Sequence, residues 1–120
     1  TAGLLAWEAC DRSEQARADI AYAFQEAVVD TLAGKLLRAV KQTKVKQVVV
    51  AGGVSANLAL RAQLQSELQK RGGKAFFPRL QYCGDNGAMI AFAGCLRLQR
   101  GESEPLHIAA KPRWPMVDLR

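Results

Sequence analysis

The stretch Lys46-Gln47-Val48-Val49-Val50-Ala51-Gly52-Gly53-Val54-Ser55-Ala56-Asn57 decides the fold. Lys46 to Ala51 is a short β-branched run without polar alternation, the pattern of a strand buried on both faces. Two glycines close it. Ser55 or Asn57 can then cap a helix, because a short polar side chain accepts hydrogen bonds from the first free backbone N–H groups. On that helix Leu60, Leu64 and Leu68 fall four apart, and it ends near Arg71-Gly72-Gly73. Lys74 to Phe77 reads as a second strand, stopped by Pro78. Strand, helix and strand in this order predict a parallel or mixed sheet flanked by helices, an α/β fold.

Working outward, the segment before the first strand is helical. Asp11 with Glu14 three residues on has the form of a capping box, and Ile20, Phe24, Ala27, Val28, Thr31 and Leu32 recur at three- and four-residue steps. A long amphipathic helix is expected from Ser13 to Gln42, tolerating Gly34 at a modest cost. Thr1 to Cys10 is an apolar helix or strand with no polar lead-in, as if the chain began inside a larger protein. Beyond the second strand, Asp85 or Asn86 is placed to cap a third helix rich in small and apolar residues, ending near Arg100-Gly101. Residues 102–120, with Pro105, Pro112 and Pro115, read as an extended tail after a unit spanning 1–101.

Composition narrows the classes of function. The 120 residues, 49% hydrophobic, suffice for a folded core. No apolar run approaches the roughly 20 residues of a membrane span, and no signal-peptide pattern is visible, so the expectation is a cytoplasmic protein without a membrane partner. Cys10, Cys83 and Cys95 form no CxxC pair, which argues against a disulfide scaffold or zinc ribbon. The single histidine, His107, excludes any site that needs two His ligands from this chain. The net charge of +6 is unevenly distributed. Residues 1–34 carry two bases and six acids, whereas residues 35–74 carry nine bases and one acid. Lys35, Arg38, Lys41, Lys44 and Lys46 form either a phosphate-facing stripe or a complement to the negative end of the long helix.

Two loops can carry chemistry, since ligands of open α/β sheets bind beyond the C-terminal strand ends. In the first, Gly52 and Gly53 let a backbone approach a flat or charged ligand closely, and the following helix start offers free N–H groups. It is not a Walker A loop, because no Lys-Ser/Thr follows. The Asn57 amide can donate and accept to a nucleotide, or simply cap the helix. In the second loop, Tyr82 to Met89, the Asp85 carboxylate can cap, bind a metal or act as a base. One Cys and one Asp do not complete a zinc site, so any metal requires further ligands.

These residues carry a resemblance. AGGVSAN (51–57), Leu60-Arg61, FPR (77–79), CGDNGAMIAFAG (83–94) and KPRWP (111–115) resemble the C-terminal part of the TsaD/Gcp family, and ADIAYAFQEAVVDTL (18–32) resembles its long helix. That family installs N6-threonylcarbamoyladenosine in tRNA and was formerly described as O-sialoglycoprotein endopeptidases. The resemblance implies part of the second lobe of the actin, Hsp70 and sugar-kinase fold, in which two lobes enclose a nucleotide.

It also implies site residues. Gly52 and Gly53 would line the adenosine side of the cleft, Asn57 matches a substrate-contacting Asn, and Asp85 matches an Asp binding an iron or zinc ion. The accompanying His ligands belong to an HxxxH motif outside this chain, which His107 does not match. Gly84 stands where the family usually has Thr, and Leu58-Ala59 replaces a more basic or polar pair. The implied substrates are threonylcarbamoyl-adenylate and tRNA, with an ATP-type nucleotide and companion proteins. A noncatalytic fragment that self-associates, as in a homodimer, is the alternative. A small-molecule kinase of the same superfamily fits the Gly-Gly turn, but agrees less well with DNGAMIA and KPRWP. The protease description finds no triad or complete metal motif to support it.

Overall fold

The first unit grows from a helix whose start is fixed by Ser13. In the computed structural model, which describes residues 1–110, 112–115 and 117, the Ser13 side chain accepts from Ala16 N and opens α2, Glu14–Thr43. The expected Asp11–Glu14 box does not form. Asp11 instead accepts from the Ser13 N–H at 3.0 Å, and that backbone bond holds its carboxyl below the usual range. The preceding α1, Ala2–Ala9, packs on α2. Lys44 ends α2 in the left-handed region at φ 61°, its N–H donating to Val40 O at 2.9 Å.

The decisive stretch forms β1, Gln47–Val49, then a 3-10 turn at Gly53–Ala56 and α3, Leu58–Gln69. The chain returns through Gly72-Gly73 into β2, Lys74–Phe76. β1 and β2 are parallel, in the register Gln47↔Lys74, Val48↔Ala75 and Val49↔Phe76. Lys74 N to Lys46 O and Val50 N to Phe76 O, both 2.9 Å, extend the ladder at either end. Of the parallel and mixed arrangements expected, this is the parallel one.

The return turn explains both glycines. Gly72 N donates to Gln69 O at 3.0 Å and Gly73 N to Leu68 O at 2.8 Å, a Schellman-type closure with Gly72 at φ +65°. A Cβ on Gly73 would sit 2.6 Å from Lys46 O, so the helix end and the strand start approach closely only with glycine there.

The core lies between α2, α3 and the inner face of the two strands. Val29, Ala33, Leu60 and Leu64 are buried together, with Leu36, Val50, Ala59 and Phe77 packed against them. The Leu60, Leu64 and Leu68 stripe is buried as expected.

Two expectations fail on packing. α2 faces the core through Val29, Ala33, Leu36 and Val40, whereas Phe24, Ala27, Thr31 and Leu32 of the expected stripe are exposed. β1 is not buried on both faces. Val48 and Val50 are half-buried, but Val49 is 77% exposed because the two-stranded sheet has a bare outer face, shared with its partner Phe76.

The chain comprises two compact units, Thr1–Asp85 and Asn86–Arg120. The second unit holds α4, Gly87–Gln99, whose Asn86 cap accepts from Met89 N at 3.0 Å. Asp85 is therefore not the cap. No α-helix or strand follows Gln99 among the described residues. Lys111 of the KPRWP motif lies outside those described. No helix among them is long and apolar enough to cross a membrane.

Candidate functional site

Both candidate loops leave the C-terminal ends of the parallel strands, one from β1 and one from β2. In the first, Gly52 has φ 86° and ψ 172°, a conformation open to glycine and strained for other residues. A Cβ on Gly52 or Gly53 would meet nothing within 4 Å, so the glycine edge is bare. Ser55 N donates to Gly52 O at 2.9 Å and closes the 3-10 turn.

Asn57 caps α3. Its Oδ1 accepts from Leu60 N at 2.9 Å, and its Nδ2 donates to Gln25 Oε1 on α2 at 3.2 Å. The amide therefore ties the loop to both flanking helices. Ser55 is 1% exposed, and its Oγ has no hydrogen-bond partner among the described residues. Such a buried hydroxyl costs about 1–3 kcal/mol.

Arg61, one turn into α3, joins the two loops. Its Nε donates to Ser55 O at 2.5 Å, and its Nη2 donates to Pro78 O at 2.7 Å and to Cys83 Sγ at 3.1 Å. The guanidinium also lies 4.8 Å from the centroid of the Phe77 ring. One planar fork thus fixes the Gly-Gly loop, the end of β2 and the loop leading to Asp85. Lysine has no such fork. Leu60-Arg61 belongs to the motifs that carry the family resemblance, but the sequence alone gives Arg61 no role. Its one signal was a cation flanking a buried leucine stripe, which spacing alone does not distinguish from a surface charge.

Cys83 is buried, with its Sγ 3.5 Å from Arg79 O, and is a structural thiol of the second loop. Asp85 is exposed, two residues beyond it. Among the described residues no group of three or more His, Cys, Asp or Glu side chains converges to hold a metal. Asp85 fits a metal only as a single carboxylate ligand. The exposed glycine edge suits the close approach of a nucleotide backbone or ring, although Asn57 already uses both ends of its amide.

The fold and the paired loops define an α/β protein with two candidate loops beyond the C-terminal ends of two parallel strands. The family model described as TsaD, tRNA N6-adenosine threonylcarbamoyltransferase, matches residues 3–92. The chain belongs to this family, whose members are transferases that modify tRNA.

Proposed function

We propose that this chain is the C-terminal part of an enzyme that transfers a threonylcarbamoyl group from threonylcarbamoyl-adenylate to N6 of the anticodon-adjacent adenosine of tRNA. The observation that carries the reading is the match of the family over 3–92, which includes both loops tied together by Arg61. Residues 1–101 then belong to the second lobe of an actin, Hsp70 and sugar-kinase fold, and 102–120 to its tail. The site of action is the cytoplasm, with companion proteins of the threonylcarbamoyl-transfer complex.

In this reading Gly52 and Gly53 admit the adenylate at van der Waals distance, where any side chain would hold it off. Asn57 exchanges its bond to Gln25 for one to the nucleotide while its Oδ1 keeps the cap. Arg61 is a positioning residue, holding the glycine loop and the Asp85 loop in register. Asp85 would serve as one ligand of a divalent iron or zinc ion, with the other ligands from outside this chain. When bound, such an ion supplies electrostatic stabilisation of charge developing on the substrate oxygens.

A second reading is a noncatalytic fragment that self-associates. It is favoured by the exposed Phe24, Leu32 and Val54, which border an open apolar groove of about 370 Å³ on α2.

Two substitutions in the full-length protein separate the readings. Asp85→Ala is expected to lose bound metal and tRNA transfer together with an unchanged circular-dichroism spectrum; full transfer would end its ligand role. Asn57→Ser keeps a cap acceptor but removes the amide donor. Adenylate affinity should fall about tenfold, the value of roughly one hydrogen bond, without loss of melting temperature. Unchanged affinity would leave Asn57 as a cap.

A further inference from the structure

A basic corner forms at the opposite ends of the strands from the glycine loop. Arg38, Lys41 and Lys44 from the last turns of α2, Lys46 just before β1 and Arg71 after α3 line one open cavity of about 410 Å³. Leu37 and Val40 supply apolar surface in its wall, along which the aliphatic stems can lie. Arg71 is held by Glu67, to whose backbone and carboxylate oxygens its Nη1 donates at 2.6 and 2.5 Å. Arg38, Lys41, Lys44 and Lys46 form no ion pair among the described residues.

Two observations separate this corner from an ordinary charged helix end. A helix C-terminus carries about half a negative charge, which one cation offsets, whereas five cations gather here against a single carboxylate. Lys46 and Arg71 moreover lie outside α2, and Arg71 comes to the cavity from the far end of α3, 25 residues beyond Lys46. Gly34, which also lines the cavity, sits in mid-helix although a Cβ there would meet nothing within 4 Å. Close packing among the described residues does not require that glycine, and its effect is to leave the rim open.

We infer that this corner binds backbone phosphates of the RNA substrate and positions the tRNA at a distance from the reacting loop. The inference rests on the tRNA-modifying reading above. Several cations around an open, partly apolar depression suit a polyanion, because neutralised phosphates release counterions without any need for base contacts. Lys46 and Gly52 stand at opposite ends of β1, up to about 20 Å apart at roughly 3.3 Å per residue. The corner therefore fixes where the RNA lies rather than touching the modified base.

The test uses the 120-residue chain, with binding of an unmodified tRNA transcript followed by fluorescence anisotropy between 50 and 200 mM KCl. Arg38→Gln, Lys41→Gln and Lys46→Gln are combined in one variant. A control combines Arg12→Gln, Arg17→Gln and Arg100→Gln for the same change in net charge. The corner variant should lose at least about tenfold in affinity, and its log–log salt slope should flatten by about 2, as expected for three lost phosphate contacts. The control should retain most of both.

Equal losses in the two variants would reduce the effect to net charge and overturn the inference. So would unchanged binding by the corner variant, or no tRNA binding by a folded wild-type chain. Binding of inorganic phosphate at the corner without tRNA binding would overturn it in favour of a free-anion site. Adenylate affinity, measured on the full-length protein, reports separately on the transferase reading. Its absence alongside intact, corner-dependent tRNA binding would sink that reading and leave the corner standing.

Discussion

α3 and α4 start alike and finish differently. Each follows a loop, each is capped by an asparagine that accepts from an N–H three residues on, and each is rich in apolar residues. α3 buries Leu60, Leu64 and Leu68 at 2% exposure or less. α4, the more apolar of the two, has no buried residue, and Ile90, Phe92 and Leu98 are each at least 66% exposed. Hydrophobicity and a good cap therefore make a helix, but burial depends on what the rest of the chain places against it. For α3 that partner is the face of α2 bearing Val29 and Ala33, together with the inner side of a parallel strand pair.

The sharpest test of this contrast is a matched pair of truncations. Leu64→Ala removes the centre of the buried cluster and is expected to cost about 2–5 kcal/mol in urea unfolding. Ile90→Ala on α4 should cost no more than about 0.5 kcal/mol. Equal costs would show that α4 is buried in solution and would break the comparison.

A smaller effect probes what lets α3 pack so closely. Gly73→Ala forces a Cβ toward Lys46 O, and the displacement should destabilise the first unit by about 1–3 kcal/mol. A neutral result in thermal unfolding would mean that the turn between α3 and β2 relaxes freely.

The smallest effect concerns the end of α3. Hydrogen bonds from Lys70 and then Arg71 hold the Glu67 carboxyl below the usual glutamate range. A carboxylate whose folded pKa is depressed stabilises above its unfolded pKa and loses that contribution as pH falls through the folded value. Melting temperature should thus decline in acid. Glu67→Gln should flatten the part of the decline below the ordinary glutamate pKa and lower neutral-pH stability by the same amount, a small one because the Lys70 and Arg71 side chains face solvent. An identical acid profile in the variant would assign the decline to other carboxylates.

Much of the strand–helix–strand unit was legible because its signals are local. The β-branched run, the paired glycines and the four-residue leucine spacing each constrain a few neighbouring residues, and each marks the element read from it, although the strand is not buried on both faces as expected. The face of α2 was misread because that helix has two apolar stripes. Ile20, Phe24 and Leu32 satisfy the period as well as Val29, Ala33 and Val40, and only the position of α3 selects between them. Of the candidate site, Gly52, Gly53 and Asn57 were found from their loop, whereas Arg61 was not, because its three acceptors come from Ser55, Pro78 and Cys83. Two of those acceptors lie 17 and 22 residues away.

The sequence by itself determined the strand–helix–strand order, two candidate caps for α3, the paired-glycine loop and, through several separated motifs, the family. These follow from backbone dihedrals, side-chain reach over three or four residues, and spacing, all of which are properties of short segments. Tertiary structure alone decided which stripe of α2 is core, that the outer face of the strand pair is bare, and that Arg61 locks two loops together. It also gathered Arg38, Lys41, Lys44, Lys46 and Arg71 around one cavity. Those outcomes depend on contacts between segments far apart in the chain, and apolar attraction, being non-directional, does not encode its partner in the residues that supply it.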